Sequence, residues 1–173
     1  MTVVDNRELV KQVGFPTGLL PMSVVLSQLI HFALSLPVLA AFLYADGYAG
    51  GPELAALPLV ILIQFAFTLS MAYIFATLQV KFRDTQYLLG IGLLLAFYLT
   101  PVFWDDNAIP EPFKSYMRLN PVAMLLNAYR AILLHHTWPD PNFLIPVAAI
   151  SVVLLGIGYL IFSLAQNHFV EEL

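Results

Sequence analysis

Cysteine is absent from the 173 residues. That removes disulfide frameworks, thiolate metal sites and cysteine nucleophiles, and it leaves the redox compartment open. Charge is scarce as well: Lys and Arg number 7, Asp and Glu 11, and the net charge is -4. With no basic run to neutralise a phosphate backbone, nucleic acid is not an expected partner. A phosphate-cradling Gly-x-x-x-x-Gly-Lys-Ser/Thr loop is missing, so if ATP drives this protein a different chain binds it. No Gly-x-Ser-x-Gly elbow and no His-Glu-x-x-His helix is present, which speaks against hydrolytic chemistry. The opening residues MTVVDNRELVKQVGFP place Asp5 ahead of the first basic residue and hold no apolar core, unlike a secretory signal peptide. Insertion is expected to rely on internal spans.

What the chain does have is hydrocarbon. Apolar residues make up 60% of it and mean hydropathy is +0.83, which contradicts a water-soluble surface and predicts an all-α, polytopic membrane protein. A helix needs about 20 apolar residues to cross a hydrocarbon core of roughly 30 Å. Met22–Leu43, Leu54–Leu78 and Phe143–Ala165 meet that length, and Tyr87–Phe103, closed by Pro101, sits at its lower limit. Four transmembrane helices are therefore expected, with residues 1–173 forming one transmembrane domain. Four spans put both termini on one side. Arg7, Lys11, Lys81 and Arg83 lie on that side, against Lys114, Arg118 and Arg130 on the other. The short loop with Lys81 and Arg83 carries most weight and predicts cytoplasmic termini. No internal repeat or low-complexity segment is visible.

A fifth apolar stretch, Pro121 to His135, reaches only about 22 Å as a helix, too short to cross. Length predicts a re-entrant or interfacial helix, with Val122, Leu125, Leu126, Tyr129, Ile132 and Leu133 on an oily side. Asn120, Ala123, Met124, Asn127, Arg130 and Leu134 fall on a small and polar side. Arg130 at mid-bilayer would cost roughly 2.5 to 3.5 kcal/mol on insertion scales, and far less where it can snorkel to water. Shallow placement follows, with Asp105, Asp106 and Glu111 available in the same loop as ion-pair partners. Near the N-terminus, Asp5 can cap a short helix with Glu8 as reciprocal partner, while Leu9, Val10 and Val13 form an apolar stripe that Phe15-Pro16 ends. Such a helix either lies on the membrane or docks into another protein.

Polar residues inside the spans have two readings. Ser23, Ser27, His31 and Ser35 recur every four residues along one helix face, and Gln64 and Thr68 repeat the spacing in the second span. Interhelical hydrogen bonding is the plainer account, because His31 has no intramembrane carboxylate to relay protons with. The sharper one makes Ser27 and His31 channel-lining. Tyr44, Tyr48, Tyr87, Tyr98, Phe103 and Trp104 cluster near span ends, as interfacial anchors or as a stacking surface along a conduit for sugars, with Tyr98 a further channel-lining candidate. Adjacent helical histidines point about 100 degrees apart, so His135-His136 with Asp140 is not expected to hold a metal.

Taken in order, NRELVKQVGFPTGLLP, VKFRDTQYLL and LTPVFWDDNAIPEPFKSYMRLNPVAMLLNAYRAILL resemble one family across essentially the whole chain. It is the permease subunit of ABC-2 type exporters, in the branch that moves O-antigen, capsule or teichoic-acid glycans. Phe15-Pro16 with Leu20-Pro21, Arg83-Asp84, Pro101, Pro110, Asn120-Pro121 and Arg130 carry the resemblance. It implies a coupling helix at residues 5–15, with Leu9, Val10, Val13, Phe15 and Pro16 against a cytoplasmic ATPase. It implies extracytoplasmic re-entrant helices within residues 105–137 that close the outer mouth, where Arg130 latches the gate or meets a head-group phosphate. It further implies a homodimer in the bacterial inner membrane, a lipid-linked glycan as substrate, ATP on the partner subunit with no cofactor bound directly, and no enzymatic step in this chain. Family members carry an amphipathic helix and two spans ahead of the coupling helix, so the chain resembles the C-terminal two-thirds of a permease. Alternatives are a drug or lipid exporter subunit, a non-functional permease fragment, and an intramembrane acyltransferase using His31 or His135.

Overall fold

The computed structural model describes residues 17–47, 50–82, 84–100, 102 and 119–166. These residues form helices α1 (Leu19–Ala45), α2 (Leu57–Lys81), α3 (Thr85–Leu99), α4 (Pro121–Leu133) and α5 (Pro141–Ala165), with a 3-10 helix Pro52–Ala56 leading into α2. No strand occurs among the described residues. Hydrocarbon offers no partner for backbone N–H and C=O groups, so long apolar runs satisfy them internally as helix. Pro121 and Pro141 open α4 and α5 behind the side-chain caps Asn120 and Asp140, while Pro37 and Pro146 lie inside α1 and α5.

The apolar helices run slightly beyond their expected limits. α1 covers Leu19–Ala45 against an expected 22–43, and α5 starts at Pro141, two residues early. The expected start of the second span at Leu54 falls in the 3-10 helix, and α2 continues to Lys81. Correction is larger for the fourth span, expected to reach Phe103. α3 stops at Leu99 because Thr100 (φ -94°, ψ 136°) is extended, as the residue before a proline prefers to be. Its 15 residues cover about 22 Å. By length and composition α1, the 3-10 helix with α2, and α5 are each long enough to cross a membrane, and α3 is a shorter apolar helix. α3 nevertheless connects both ends of the molecule. Thr85 Oγ1 donates to Leu78 O (3.2 Å) and Phe82 O (2.6 Å) beside the Lys81 end of α2, whereas Thr100 accepts from Asn120 at the α4 end.

α2 and α5 form the spine. Val147, Ser151, Gly158 and Phe162 are the buried face of α5, recurring at intervals of four, seven and four as one helical stripe requires. Two hydrophobic clusters lie along this seam. At the Lys81 end, Leu20 and Val25 of α1 meet Leu69, Tyr73 and Val80 of α2 and Phe162 of α5. There Thr17 Oγ1 donates to Gln166 Oε1 (3.1 Å) and Tyr73 Oη to Gly18 O (3.3 Å), tying the start of α1 to both spine helices. At the opposite end, Val60 and Ile63 of α2 and Val147 of α5 surround Met124, Leu125, Ala128 and Ile132 of α4. Between the clusters the spine closes on small residues. Ser70 and Ser151 are fully buried, and each turns its hydroxyl back on its own helix, to Phe67 O (2.6 Å) and Val147 O (2.7 Å). Their polarity is thus satisfied locally and they act as small spacers.

Candidate functional site

Helix α4 organises the end of the molecule opposite Lys81. Asn120 lies in the extended region (φ -81°, ψ 111°), and its side-chain oxygen accepts from Val122 N (3.0 Å) and Ala123 N (3.4 Å). This is an N-cap, satisfying donors that the first helical turn cannot. The same side chain then uses its other end: Asn120 Nδ2 donates to Thr100 Oγ1 (3.3 Å), which itself donates to Ala96 O (2.8 Å). Ten residues on, Arg130 Nη2 donates to Val102 O (2.9 Å). A cation in the last turn also complements the helix dipole. Two polar side chains of the α4 segment therefore hold the chain just beyond α3.

The other side of α4 is seated on the spine. Ala123, Met124, Leu125, Ala128 and Ile132 are its buried residues. The buried arc is rotated from the expected oily side, since Ala123 and Met124 belong to it and Val122 is 43% exposed. The reason is packing on three elements at once, the 3-10 helix, α2 and α5, where alanines permit close approach. Tyr129 donates to Gln64 Oε1 on α2, and the Phe32 ring of α1 meets the Tyr129 ring edge-on at 5.8 Å. Two cavities adjoin the helix. A polar one of about 180 Å³ is lined by Asn127, Arg130, His135, Asp140 and Phe143 with two alanines. An apolar one of about 610 Å³ lies where α1 parts from α2, between Leu36, Pro37 and Ala40 and Leu54, Leu57 and Leu133.

The structure brings together Asn120, Pro121, Asn127 and Arg130 at this end. Leu9, Val10, Val13, Phe15, Pro16, Arg83, Pro101 and Pro110 lie outside the described residues, as do Asp105, Asp106 and Glu111. Asp84 stands directly before α3, its carbonyl accepting from Tyr87 N (3.1 Å) and Leu88 N (3.2 Å). Ser27, His31 and Tyr98 line neither cavity and sit on surfaces that the described residues leave open. In the serine stripe, Ser23 and Ser35 hydroxyls donate to Leu20 O (2.9 Å) and Phe32 O (2.7 Å) of their own helix. His135 and His136 do not share a helix: α4 ends at Leu133, two residues before the expected His135, and His136 has a left-handed backbone (φ 54°). Among the described residues no group of His, Asp or Glu is arranged to hold a metal.

Three features escaped sequence reasoning. Thr100 gave no signal beyond its place before Pro101, and a backbone acceptor such as Val102 O gives none at all. The Tyr129–Gln64 pair joins two residues whose polarity was visible but whose proximity was not. Glu53, in the 3-10 helix, is only 5% exposed. A Cβ on Gly51 would lie 2.4 Å from its carboxylate oxygens, so glycine permits that close approach.

Comparison with known proteins adds identity to this geometry. Residues 3–134 match the ABC-2 type transporter family. An O-antigen export system permease protein RfbA of Myxococcus xanthus is 39% identical over 173 residues, covering 99% of this chain and 66% of that protein. Two RfbA proteins of Klebsiella pneumoniae, also O-antigen export system permeases, are 29% and 28% identical, with 98% of this chain and 66% of each relative covered. The chain thus spans 66% of the length of the curated relatives it matches. With most of its residues inside the family match and crossing-length apolar helices bound into one bundle, the chain belongs to the ABC-2 type transporter family.

Proposed function

We propose that the chain is a membrane-spanning permease subunit of an exporter that moves a lipid-linked polysaccharide outward, driven by a separate ATP-binding subunit. The observation that carries this reading is the 39% identity to an O-antigen export permease over 99% of the chain. The absence of a phosphate-cradling loop from the sequence agrees with ATP being bound elsewhere. The permease works as a homodimer in the inner membrane with cytoplasmic termini, so the Lys81 end faces the ATPase and the α4 end faces outward. In that orientation α4 is an outer gate element. Its length suits a segment that enters the bilayer shallowly, and its polar residues lie along a cavity where irregular backbone is tolerated. Arg130 near water is consistent with the cost of placing a guanidinium deeper.

Coupling to the ATPase is assigned to residues 5–15, with Leu9, Val10 and Phe15 as apolar contacts. A carboxylate placed in an apolar cleft is strongly disfavoured. Leu9→Asp and Phe15→Asp are each expected to lower recovery of the ATP-binding subunit on affinity purification about tenfold, equivalent to about 1.4 kcal/mol. Undiminished recovery with both variants would defeat the coupling assignment.

A further inference from the structure

Helix α3 is held at its ends. Thr85, at its start, is its one buried residue, and Thr100, just past its end, is 4% exposed. Between them Tyr87, Leu88, Ile91, Leu93, Leu94, Leu95, Phe97, Tyr98 and Leu99 are all large and exposed. The inner attachment is covalent as well as hydrogen-bonded, because only Phe82, Arg83 and Asp84 separate α3 from α2. The attachment at the α4 end is made by side chains: Asn120 to Thr100, and Arg130 to Val102.

Asn120 is chemically suited to join two helices. Its oxygen is occupied by the Val122 and Ala123 N–H groups, which fixes the amide orientation and leaves the NH2 group facing Thr100. An aspartate in its place would cap α4 at least as well, since a carboxylate at a helix N-terminus is favoured. It could not donate to Thr100, because an ionised carboxylate is an acceptor only; a link would then require the Thr100 hydroxyl to leave Ala96 O and donate instead. Thr100→Val removes that hydroxyl and leaves the cap untouched, so the cap and the fastening can be separated.

We propose that Asn120 is a positioning residue that fastens the outer end of α3 to α4, so that the two move as one gate element. Loss of the Nδ2–H···Oγ1 bond leaves the Arg130–Val102 bond as the remaining side-chain attachment of that end, so α3 gains freedom against the bundle while α4 stays capped and seated on α2 and α5. Calling this unit a gate rests on the export reading, but the fastening itself does not.

The test uses spin-label distances on the full chain in lipid nanodiscs. Since the sequence has no cysteine, labels go only where Cys is introduced. Leu95→Cys with Val153→Cys reports α3 against α5, and Leu134→Cys with Val153→Cys reports α4 against α5; all three sites are exposed. Asn120→Asp combined with Thr100→Val, which leaves no hydroxyl to donate to the new carboxylate, is expected to widen the first distance distribution about twofold and leave the second unchanged, as a released helix samples further states. Thr100→Val alone, which removes the acceptor, is expected to do the same. An unchanged first distribution in either variant overturns the fastening. Simultaneous broadening of both pairs also overturns it, because Asn120 would then support the fold in general. None of these outcomes bears on whether glycan is exported, so the fastening and the export reading fail separately.

Discussion

Gly158→Leu is expected to abolish assembly of the helical spine. A Cβ at residue 158 would stand 2.8 Å from Ser70 O and 3.3 Å from Ile74 Cγ1. The first of these is backbone of α2 and cannot rotate away, so α5 must move off α2. In lipid, helices gain little from burying apolar surface against one another, because the tails are equally apolar, and close packing carries the association. Overfilling a packed site costs about 1 to 3 kcal/mol, and a leucine adds three carbons past the clashing Cβ. Against this, replacing glycine gains up to about 1 kcal/mol of helix propensity. Gly156→Leu separates the two effects. It lies on the same helix with nothing within 4 Å of its added Cβ, so it takes the propensity gain without the clash. After mild detergent extraction, Gly158→Leu should lose most of the monodisperse chromatographic peak, with Gly158→Ala intermediate and Gly156→Leu unchanged. Equal behaviour of the 156 and 158 variants would mean that the spine is not closed at Gly158.

Arg130→Ala is expected to cut surface glycan about tenfold to a hundredfold at unchanged protein level. A hydrogen bond from a charged donor contributes about 1.5 to 3 kcal/mol, and about 1.4 kcal/mol is tenfold in an equilibrium. Removing the guanidinium releases Val102 O from α4, which loosens the outer end and lets ATP turnover proceed without productive closure. Arg130→Lys should fall between. Lysine keeps a positive donor that can reach a carbonyl, but it lacks the planar fork that lets arginine serve several acceptors at once. Lectin labelling of intact cells, normalised to permease in the membrane, reads the effect. Normal labelling with Arg130→Ala would remove Arg130 from the gate.

The membrane helices were legible because lipid imposes one rule, internal satisfaction of the backbone, and long apolar runs leave only helix as the answer. That the apolar run carrying Arg130 is too short to span was legible for a similar reason, and α4 has 13 residues. The bond from Arg130 to Val102 O was not, because every residue offers a backbone carbonyl and no sequence marks it; the expected carboxylates lie outside the described residues. The end of α3 obeys a local rule: the restriction imposed by Pro101 acts on the residue before it and stops the helix at Leu99, short of the expected Phe103. The rotation of α4 was out of reach for another reason. A helical wheel sorts residues by polarity, and α4 is seated by size, through Ala123 and Ala128.

The central claim, ATP-driven export of a lipid-linked glycan through this family's permease, is tested most directly in inside-out vesicles. These would contain the chain and its ATP-binding subunit, with labelled lipid-linked glycan supplied on the outer face. The quantity measured is the fraction of glycan protected from an added glycosidase. Protection is expected to rise with ATP and to stay at background with a non-hydrolysable analogue or without the permease. Glycan that remains fully digestible while ATP is hydrolysed, or protection that appears without ATP, would contradict the account.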